Sequence, residues 1–324
     1  MNKQRQNILI TSAGRRVELL QGFMEQRDKL MPKSVVHTTD MRPSHSAAAQ
    51  IADVFIKSPA ATDPTYPDFL FNYCNDHSIG MVVPTIDTEL LVLANMRQQL
   101  KDVGTHAIIS SPAFIKLCRD KNFSGRLFSE IGIRYPKIMR REELQFPCFV
   151  KPMDGSSSIG ARVISNREEL NTADLTNQNL IFMELIGKDF IEFTVDAYFD
   201  RNGAFKCAVP RNRLEVRAGE VSKSVTRRDS LSEHLQKNLH AWKGASGCIT
   251  VQLFYNKQTT EIVGLEINPR FGGGFPLSYA SGAHYPGWLI REYFLSENLN
   301  FYDSWEADLL MLRYDAKVLV KNAP

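Results

Sequence analysis

Short apolar runs alternate with amphipathic stretches through the first third of the chain. Residues 7–11, 35–39 and 81–83 have the composition of short strands, and apolar positions with helical spacing follow at 15–23 and 89–100. Such an alternation predicts a parallel sheet covered by helices on both faces. Binding residues in these sheets follow the carboxyl ends of the strands. The residues at those ends are Ser12, Gly14, Asp40, Thr85 and Asp87.

Beyond about residue 111 the pattern changes to a series of strands with fewer helices between them. The predicted strands cover residues 149–152, 161–164, 180–185, 192–199, 206–210, 249–254 and 262–267. The later strands are separated by short turns, one of them near Asn256, which favours antiparallel pairing. This part is therefore predicted to be α+β, with a boundary near Ser111, where Ser111-Pro112 makes a good helix start.

Composition and charge exclude several classes of protein. Of the 324 residues, 43% are hydrophobic and 23% are charged, which is typical of a globular chain rather than a disordered one. The net charge is only +3 and the charges are interspersed, so no extended nucleic-acid or membrane surface is predicted. No apolar run has the length of a membrane span, and the first one, 8–10, is too short for a secretion signal. Five scattered cysteines without a CxxC pair indicate reduced, buried thiols, and together these features predict a cytoplasmic protein.

The stretch 265–270 (LEINPR) carries the most specific chemistry. Side chains two positions apart on a strand share a face, so Glu266 and Asn268 are expected to point together while Leu265 and Ile267 face the core. Carboxylate and amide oxygens suit Mg²⁺, with Gln252 as a third ligand if its strand pairs with this one. Arg270 follows the strand and is placed to hold a phosphoryl group. The alternative is an edge strand with a solvated polar face. The glycines at 272–274 favour the binding site over this alternative, because they permit close approach of the backbone to a ligand.

Two further features suggest that an anion is bound. Lys151 ends an apolar strand and precedes the loop 153–160 (MDGSSSIG), where a lysine and loop N–H groups can cover phosphates; an ordinary loop is the alternative. Arg15 and Arg16 stand at the start of the first predicted helix, where cations oppose the helix dipole. A nearby anion and simple solvent exposure explain those arginines equally well. The P-loop, HExxH and GxSxG motifs are all absent.

Taken in order, these motifs resemble the ATP-grasp superfamily, and most of all the carbamoyl-phosphate-synthase-like (large-subunit-like) ATP-grasp proteins. The resemblance covers nearly the whole chain. It implies a Rossmann-like pre-ATP-grasp domain at 1–111, a small lobe with a glycine-serine lid loop at 112–183, and a large lobe with the metal and phosphate site at 184–324. The segments that carry it are Asp120-Lys121, Phe149-Val150-Lys151-Pro152, Met183-Glu184-Leu185-Ile186-Gly187, Glu192-Phe193-Thr194-Val195-Asp196, Gln252 and Glu266-Ile267-Asn268-Pro269-Arg270.

The resemblance also implies a role for individual residues. Lys121 and Lys151 would contact ATP, with Ser156 and Ser157 in the lid loop over the phosphates. The backbone of Met183, Glu184, Leu185 and Ile186 would read the adenine, and Glu192 would bind the ribose. Gln252, Glu266 and Asn268 would hold one or two Mg²⁺, with Mn²⁺ as a substitute, and Arg270 with Lys151 would act on the transferred phosphoryl group.

The stretch 211–223 (RNRLEVRAGEVSK) is rich in arginine, and in similar proteins such a segment lies beside the γ-phosphate and the acceptor. Arg217 and Lys223 are therefore predicted to stabilise a carboxylate substrate and the charge that develops during reaction. The alternative is a solvated loop of mixed charge.

The predicted function is that of an ATP-dependent, Mg²⁺-dependent carboxylate–amine (or ammonia) ligase that forms an acylphosphate, releases ADP and makes a carbon–nitrogen bond. Its partners would be small-molecule carboxylates and amines; dimers are common among similar proteins, so a homodimer is one option. Two alternatives stay open: phosphorylation of bicarbonate or carbamate, as in carbamoyl phosphate synthesis, and a catalytically silent nucleotide-binding protein. Substrate specificity is expected from the first-domain strand ends and from residues 211–223.

Overall fold

A computed structural model describes residues 5–120, 123–153, 160–217 and 219–321. The first part is a five-stranded parallel sheet of order β3-β2-β1-β4-β5. Its strands are β1 (Asn7–Ile10), β2 (Val36–Asp40), β3 (Val54–Lys57), β4 (Ile79–Val83) and β5 (His106–Ala107). Its helices are α1 (Val17–Leu30), α2 (Tyr66–Asp76) and α3 (Asp87–Asp102).

Alternate residues of the central strand β1 pack on opposite faces of this sheet. Ile8 and Ile10 belong to the core that includes Phe23 of α1, whereas Leu9 belongs to the core that includes Leu70 of α2 and residues of α3. Both faces are therefore covered, as predicted from the unbroken apolar runs.

Two short helices lead from the first sheet to the second. They are α4 (Pro112–Arg119), whose first turn is capped by the Ser111 hydroxyl, and α5 (Ser124–Glu130). The second sheet is antiparallel, with the order β6-β9-β7-β8. It consists of β6 (Ile138–Met139), β7 (Cys148–Pro152), β8 (Arg162–Ile164) and β9 (Leu180–Glu184), with helix α6 (Thr172–Thr176) before β9.

The third sheet is larger, has six strands and is antiparallel throughout, with the order β14-β13-β10-β11-β12-β15. Its strands are β10 (Ile191–Phe199), β11 (Phe205–Arg217), β12 (Glu220–Thr226), β13 (Gly247–Tyr255), β14 (Ile262–Asn268) and β15 (Leu310–Leu312). The helices of this part are α7 (Ser230–Asn238), α8 (Phe275–Ala280) and α9 (Tyr285–Tyr293).

The predicted fold class is confirmed: a parallel-sheet domain precedes a part built from two antiparallel sheets. The domain bounds at 111 and 183 stay predictions. The prediction for 206–223 was wrong in its extent, because the strand expected to end at 210 continues to Arg217 and turns back as β12.

All five cysteines are buried and free. In the described ranges no helix is both long and apolar enough to cross a bilayer.

Candidate functional site

A cavity of about 560 Å³ lies between the second and third sheets and reaches the first domain. Strands β7 and β9 supply one wall, β10, β11, β13 and β14 another, and the starts of α1 and α3 close one end. The predicted site residues that line it are Lys151, Met183, Glu184, Leu185, Ile186, Glu192, Gln252, Glu266, Asn268 and Arg270. Residues separated by more than a hundred positions thus meet at one cleft.

Strands β13 and β14 place the three predicted metal ligands side by side. Gln252 is the direct partner of Glu266, and Asn268 lies two residues further along the same strand. The two strands do pair, which was the condition set for Gln252, and all three residues line the cavity. Among the described residues no cluster of three or more His, Cys, Asp or Glu side chains could hold a metal. One carboxylate and two amides suit Mg²⁺ only when phosphate oxygens complete its coordination.

Leu265 was expected to face the core and instead lines the cavity beside Glu266. The cause is a bulge: Gln252 pairs with Glu266 while Leu253 pairs with Gly264, which leaves Leu265 as the extra residue. The bulge breaks the alternation of faces, so two consecutive side chains reach the same cleft. Ile267, by contrast, is buried in the core as expected.

Arg270 is held by the first domain. Its Nη2 and Nε lie 2.6 Å and 3.1 Å from the two carboxylate oxygens of Asp87, the first residue of α3. Nη2 also lies 3.3 Å from the Asn268 amide oxygen. Arg270 therefore connects the candidate metal ligands to a residue that ends a strand-to-helix connection of the parallel sheet.

The opposite wall carries the predicted hinge. Met183 and Glu184 pair with Phe149 and Cys148 of β7, and the strand ends at Glu184, so residues 185 and 186 lie beyond the ladder. The Glu184 carboxylate accepts hydrogen bonds from Arg134 Nη1 (2.6 Å) and from the Lys137 backbone N–H (3.2 Å). That carboxylate is thus engaged by the small lobe itself.

Glu192 lines the cavity with a cationic partner. Arg213 Nη1 donates to Glu192 Oε1 at 2.5 Å, from the neighbouring strand β11. Burial raises the pKa of the Glu192 carboxyl, and Arg213 offsets part of that rise. The pair leaves the second carboxylate oxygen for other donors.

Arg217 and Lys223 are not brought to the cavity. Arg217 pairs with Asp315 and Lys223 with Glu215, and these side chains are largely exposed. The reason is again a bulge, because the register of β11 against β12 shifts on both sides of Glu215. Arg211 and Arg213 face the cavity before the shift, and Val216 faces it afterwards, which turns Arg217 away.

Comparisons with known proteins agree with this arrangement. Residues 8–108 match the family described as "PylC-like, N-terminal domain", residues 176–307 match "ATP-grasp in the biosynthetic pathway with Ter operon", and residues 130–190 match "D-ala D-ala ligase C-terminus". The part of the chain from 130 to 307 belongs to the ATP-grasp superfamily. The resemblance inferred from the motifs is confirmed.

Three individual proteins show how far the likeness extends. D-alanine–D-alanine ligase of Thermoanaerobacter sp. (strain X514) is 36% identical over 83 residues, which is 21% of this chain and 22% of the relative. The carbamoyl phosphate synthase large chain of Rubrobacter xylanophilus is 25% identical over 216 residues, which is 58% of this chain and 20% of the relative. The chain therefore spans about a fifth of the length of these curated relatives.

The solved structure of the biotin carboxylase domain dimer of Hydrogenobacter thermophilus 2-oxoglutarate carboxylase, with MgADP, ADP and bicarbonate, superposes with a TM-score of 0.72. It shares 15% sequence identity and covers 95% of this chain and 74% of that one. At this identity the likeness shows the ATP-grasp fold and nothing further.

Three predicted nucleotide contacts, Lys121, Ser156 and Ser157, lie outside the described residues.

The strand-end residues of the first domain, which were expected to contribute to specificity, do not all reach the cavity. Asp87 reaches the cavity, whereas Asp40 accepts from the Gly14 backbone N–H and Thr85 donates to backbone carbonyls of the first strand-to-helix connection.

Three cationic residues that line the cavity were not assigned to the site from the sequence: Arg16, for which a nearby anion was only one of two explanations, Arg211 and Arg213. Arg211 is fully buried; its Nε donates to Asp196 at 3.0 Å, and Asp196 also accepts from Ser278 at 2.6 Å. The period-two spacing of Arg211 and Arg213 on a strand would have placed both on one face, had the strand been predicted to continue past 210.

The glycine run also has a role that the sequence did not reveal. A Cβ on Gly272 would lie 2.8 Å from Thr250 Oγ1, and one on Gly273 would lie 2.9 Å from Arg16 Nη1. A Cβ on Gly274 would collide with Arg211 Nη1. The glycines therefore let the backbone pass close to the protein's own cationic side chains.

Proposed function

We propose that this ATP-grasp protein is an ATP-dependent carboxylate–amine (or ammonia) ligase that activates its carboxylate as an acylphosphate. The observation that carries the proposal is the convergence of Glu266, Asn268 and Gln252 on one wall of a cavity whose other wall holds Lys151. Such an arrangement can hold the phosphates of a nucleotide between a cation site and a lysine.

The part of the cavity nearest the hinge is suited to a purine base. Phe149 and Val163 line it from the small lobe, and Phe254 and Leu265 line it from the large sheet. Flat apolar walls next to backbone groups beyond a strand end are what a base needs for stacking and for hydrogen bonding. The bulge at Leu265 adds to this apolar lining.

The residues present also fit Mg²⁺. A single carboxylate with two amide oxygens makes a weak site alone and a good site when nucleotide phosphates bind with the metal. When bound, Mg²⁺ would offset the negative charge of the β- and γ-phosphates. Glu266, Asn268 and Gln252 would hold it, and Arg270, next to Asn268, would contact the transferred phosphoryl group.

In this proposal the carboxylate oxygen of the substrate attacks the γ-phosphorus, and the bond from that phosphorus to the ADP oxygen breaks. An amine then attacks the acyl carbon, phosphate leaves with the bonding pair, and the amine loses a proton. Lys151 and Arg270 stabilise charge on the phosphoryl oxygens, and bound substrates that fill the cleft would keep out water that hydrolyses the acylphosphate.

Phosphorylation of bicarbonate or carbamate is a second candidate. It is supported by the partial likeness to a carbamoyl phosphate synthase large chain, which extends over 58% of this chain. The two candidates share the nucleotide site and differ in the acceptor.

The test is ADP and phosphate release in a screen of carboxylates and amines with MgATP, using wild type, Glu266→Gln and Glu261→Gln. Glu261 is a matched control, because it lies just before the same strand but pairs with Arg134 outside the cavity. We expect turnover that requires both a carboxylate and an amine, and a loss of about tenfold or more in Glu266→Gln only.

Other outcomes decide against the proposal. Normal turnover by Glu266→Gln would refute the metal assignment. Turnover with bicarbonate alone would favour the second candidate, and MgADP binding without turnover in any mixture would identify a silent nucleotide-binding protein.

A further inference from the structure

Two adjacent arginines at the start of α1 have opposite environments. Arg15 is exposed and forms an ion pair with Glu220 (Nη2 to Oε1, 3.0 Å). Arg16 turns into the cavity, and its Nη1 is screened from solvent without a hydrogen-bond partner among the described residues. Simple solvent exposure, one of the two explanations left open by the sequence, therefore accounts for Arg15 and not for Arg16.

Arg211 presents a second donor of the same kind. Its Nε and Nη2 face Asp196 at 3.0 Å and 2.8 Å, which fixes the plane of the guanidinium group. Its Nη1 is buried and has no acceptor within the part of the chain that the structure describes. The side chain as a whole is 0% exposed and yet lines the cavity.

The glycine run brings these two donors together. Arg16 Nη1 lies against Gly273 and Arg211 Nη1 lies against Gly274, and consecutive Cα atoms are only about 3.8 Å apart. Any side chain at either position would displace a guanidinium group. Glycines at both 273 and 274 are thus needed for these two guanidinium groups to approach the same stretch of backbone.

The charges around Arg16 do not balance. Glu220 is shared by Arg15 and Arg313, the latter at 3.2 Å, while Asp87 is taken by Arg270 and Asp196 by Arg211. Burial, followed by the charge of Arg270, lowers the pKa of the Arg16 guanidinium, in spite of the opposing effect of Glu220. A half-buried cation without its own counter-ion is costly when one of its donors is screened from solvent, and a bound anion removes that cost.

We infer that Arg16 and Arg211 form a second anion subsite, which binds an anionic group of the acceptor other than the carboxylate that is phosphorylated. This rests on the proposed ligase function and specifies its substrate class: a carboxylic acid that carries a further carboxylate. A carboxylate has enough lone pairs to accept from both guanidinium groups. Arg270, whose charge acts on Arg16 and whose Nη2 bonds to Asn268, lies next to both this subsite and the candidate metal ligands.

The experiment compares wild type with Arg16→Met and with Arg15→Met, which removes the neighbouring exposed arginine by the same substitution. Each protein is saturated with MgADP and titrated calorimetrically with malonate, succinate, glutarate, adipate and butyrate at constant ionic strength. We expect wild type and Arg15→Met to bind at least one dicarboxylate about tenfold more tightly than butyrate. Arg16→Met should lose that preference while its Kd for MgADP stays within about twofold.

Thermal unfolding without ligand checks that the variant folds. Because Arg16→Met removes a half-buried cation whose Nη1 lacks a partner among the described residues, its Tm should equal or exceed that of wild type. A clearly lower Tm would mean that the fold already satisfies Arg16, which overturns the inference.

Three binding outcomes would also overturn it: an unchanged dicarboxylate preference in Arg16→Met, a parallel loss of MgADP affinity, or a wild type that binds no dicarboxylate better than butyrate. None of these results changes the Glu266→Gln comparison. They would refute the subsite and leave the proposed ligase function standing. Absence of MgADP binding by wild type would remove the ligase function itself.

Discussion

Glu89 is a buried carboxylate beneath the strand-to-helix connection that presents Asp87 to the cavity, and replacing it tests how far that connection depends on one side chain. Its Oε1 accepts from the backbone N–H groups of Thr85 (2.8 Å) and Ile86 (3.2 Å). Its Oε2 accepts from the hydroxyls of Tyr66 (2.9 Å) and Ser12 (3.1 Å). Glu89 is 0% exposed, so no water replaces these contacts.

The magnitude follows from which donors each substitution leaves without an acceptor. Glu89→Ala removes all four acceptor contacts together with one methylene group and the carboxylate, so we expect a loss of about 5 kcal/mol in the free energy of unfolding. Glu89→Gln keeps an oxygen for the two backbone donors, and its NH₂ group faces two hydroxyls that can rotate to accept. Its cost should therefore be only about 2 kcal/mol.

Urea unfolding followed by far-UV circular dichroism measures both values, with Glu18→Gln as an exposed control that should change stability by less than about 0.5 kcal/mol. Equal losses for Glu89→Gln and Glu89→Ala would show that the backbone donors do not depend on Oε1. Losses below about 1 kcal/mol in both would refute the hydrogen-bond account as a whole.

Two other substitutions test the electrostatics of the first domain. Asp87→Asn is nearly isosteric but removes the charge that faces Arg270 at 2.6 Å. Because Asp87 is partly exposed, we expect the free energy of unfolding in urea to fall by only about 1–2 kcal/mol, and by about half as much in 0.5 M NaCl. An equal loss at both salt concentrations would argue against an ion pair. Burial, followed by the charge of His77, lowers the pKa of His37 to about 4, so its contribution to stability is complete above pH 6.5 and is lost as the pH falls towards 4. Wild type should therefore lose about 3 kcal/mol more than His37→Gln over that interval, and identical pH profiles would show that His37 does not titrate differently in the folded state.

The sequence predicted the parts of the fold that local patterns determine. Apolar runs and their spacing placed β1, β4, β7 and β10 to within a residue or two, because buried strands need such runs wherever they lie in the chain. The shared orientation of Glu266 and Asn268 was predictable because side chains two positions apart on a strand lie on one face. The order of the motifs along the chain predicted that a small lobe lies opposite this strand. No local pattern contains that information.

The residues that escaped prediction depend on register shifts and on contacts between domains. One extra residue in a strand reverses which side chains face the cavity, so Arg217 turned outward and Leu265 turned inward, and no composition signal marks either bulge. Arg16 was recognisable only as a cation that opposes a helix dipole. Its burial depends on the glycine run, which lies more than 250 positions later in the chain.

Three arginines that line the cavity come from separate parts of the chain: Arg16 follows β1, Arg211 lies in β11 and Arg270 follows β14. Arg211 and its carboxylate partner both lie in the large sheet, so that pair forms without the first domain. Arg16 itself and the Asp87 partner of Arg270 belong to the first domain, and both reach the cavity only when that domain is docked. The candidate metal ligands on β13 and β14 have no such dependence. In the proposed function, the metal and nucleotide site would therefore depend on the two antiparallel sheets, whereas the acceptor subsite would also require side chains at the edge of the parallel sheet.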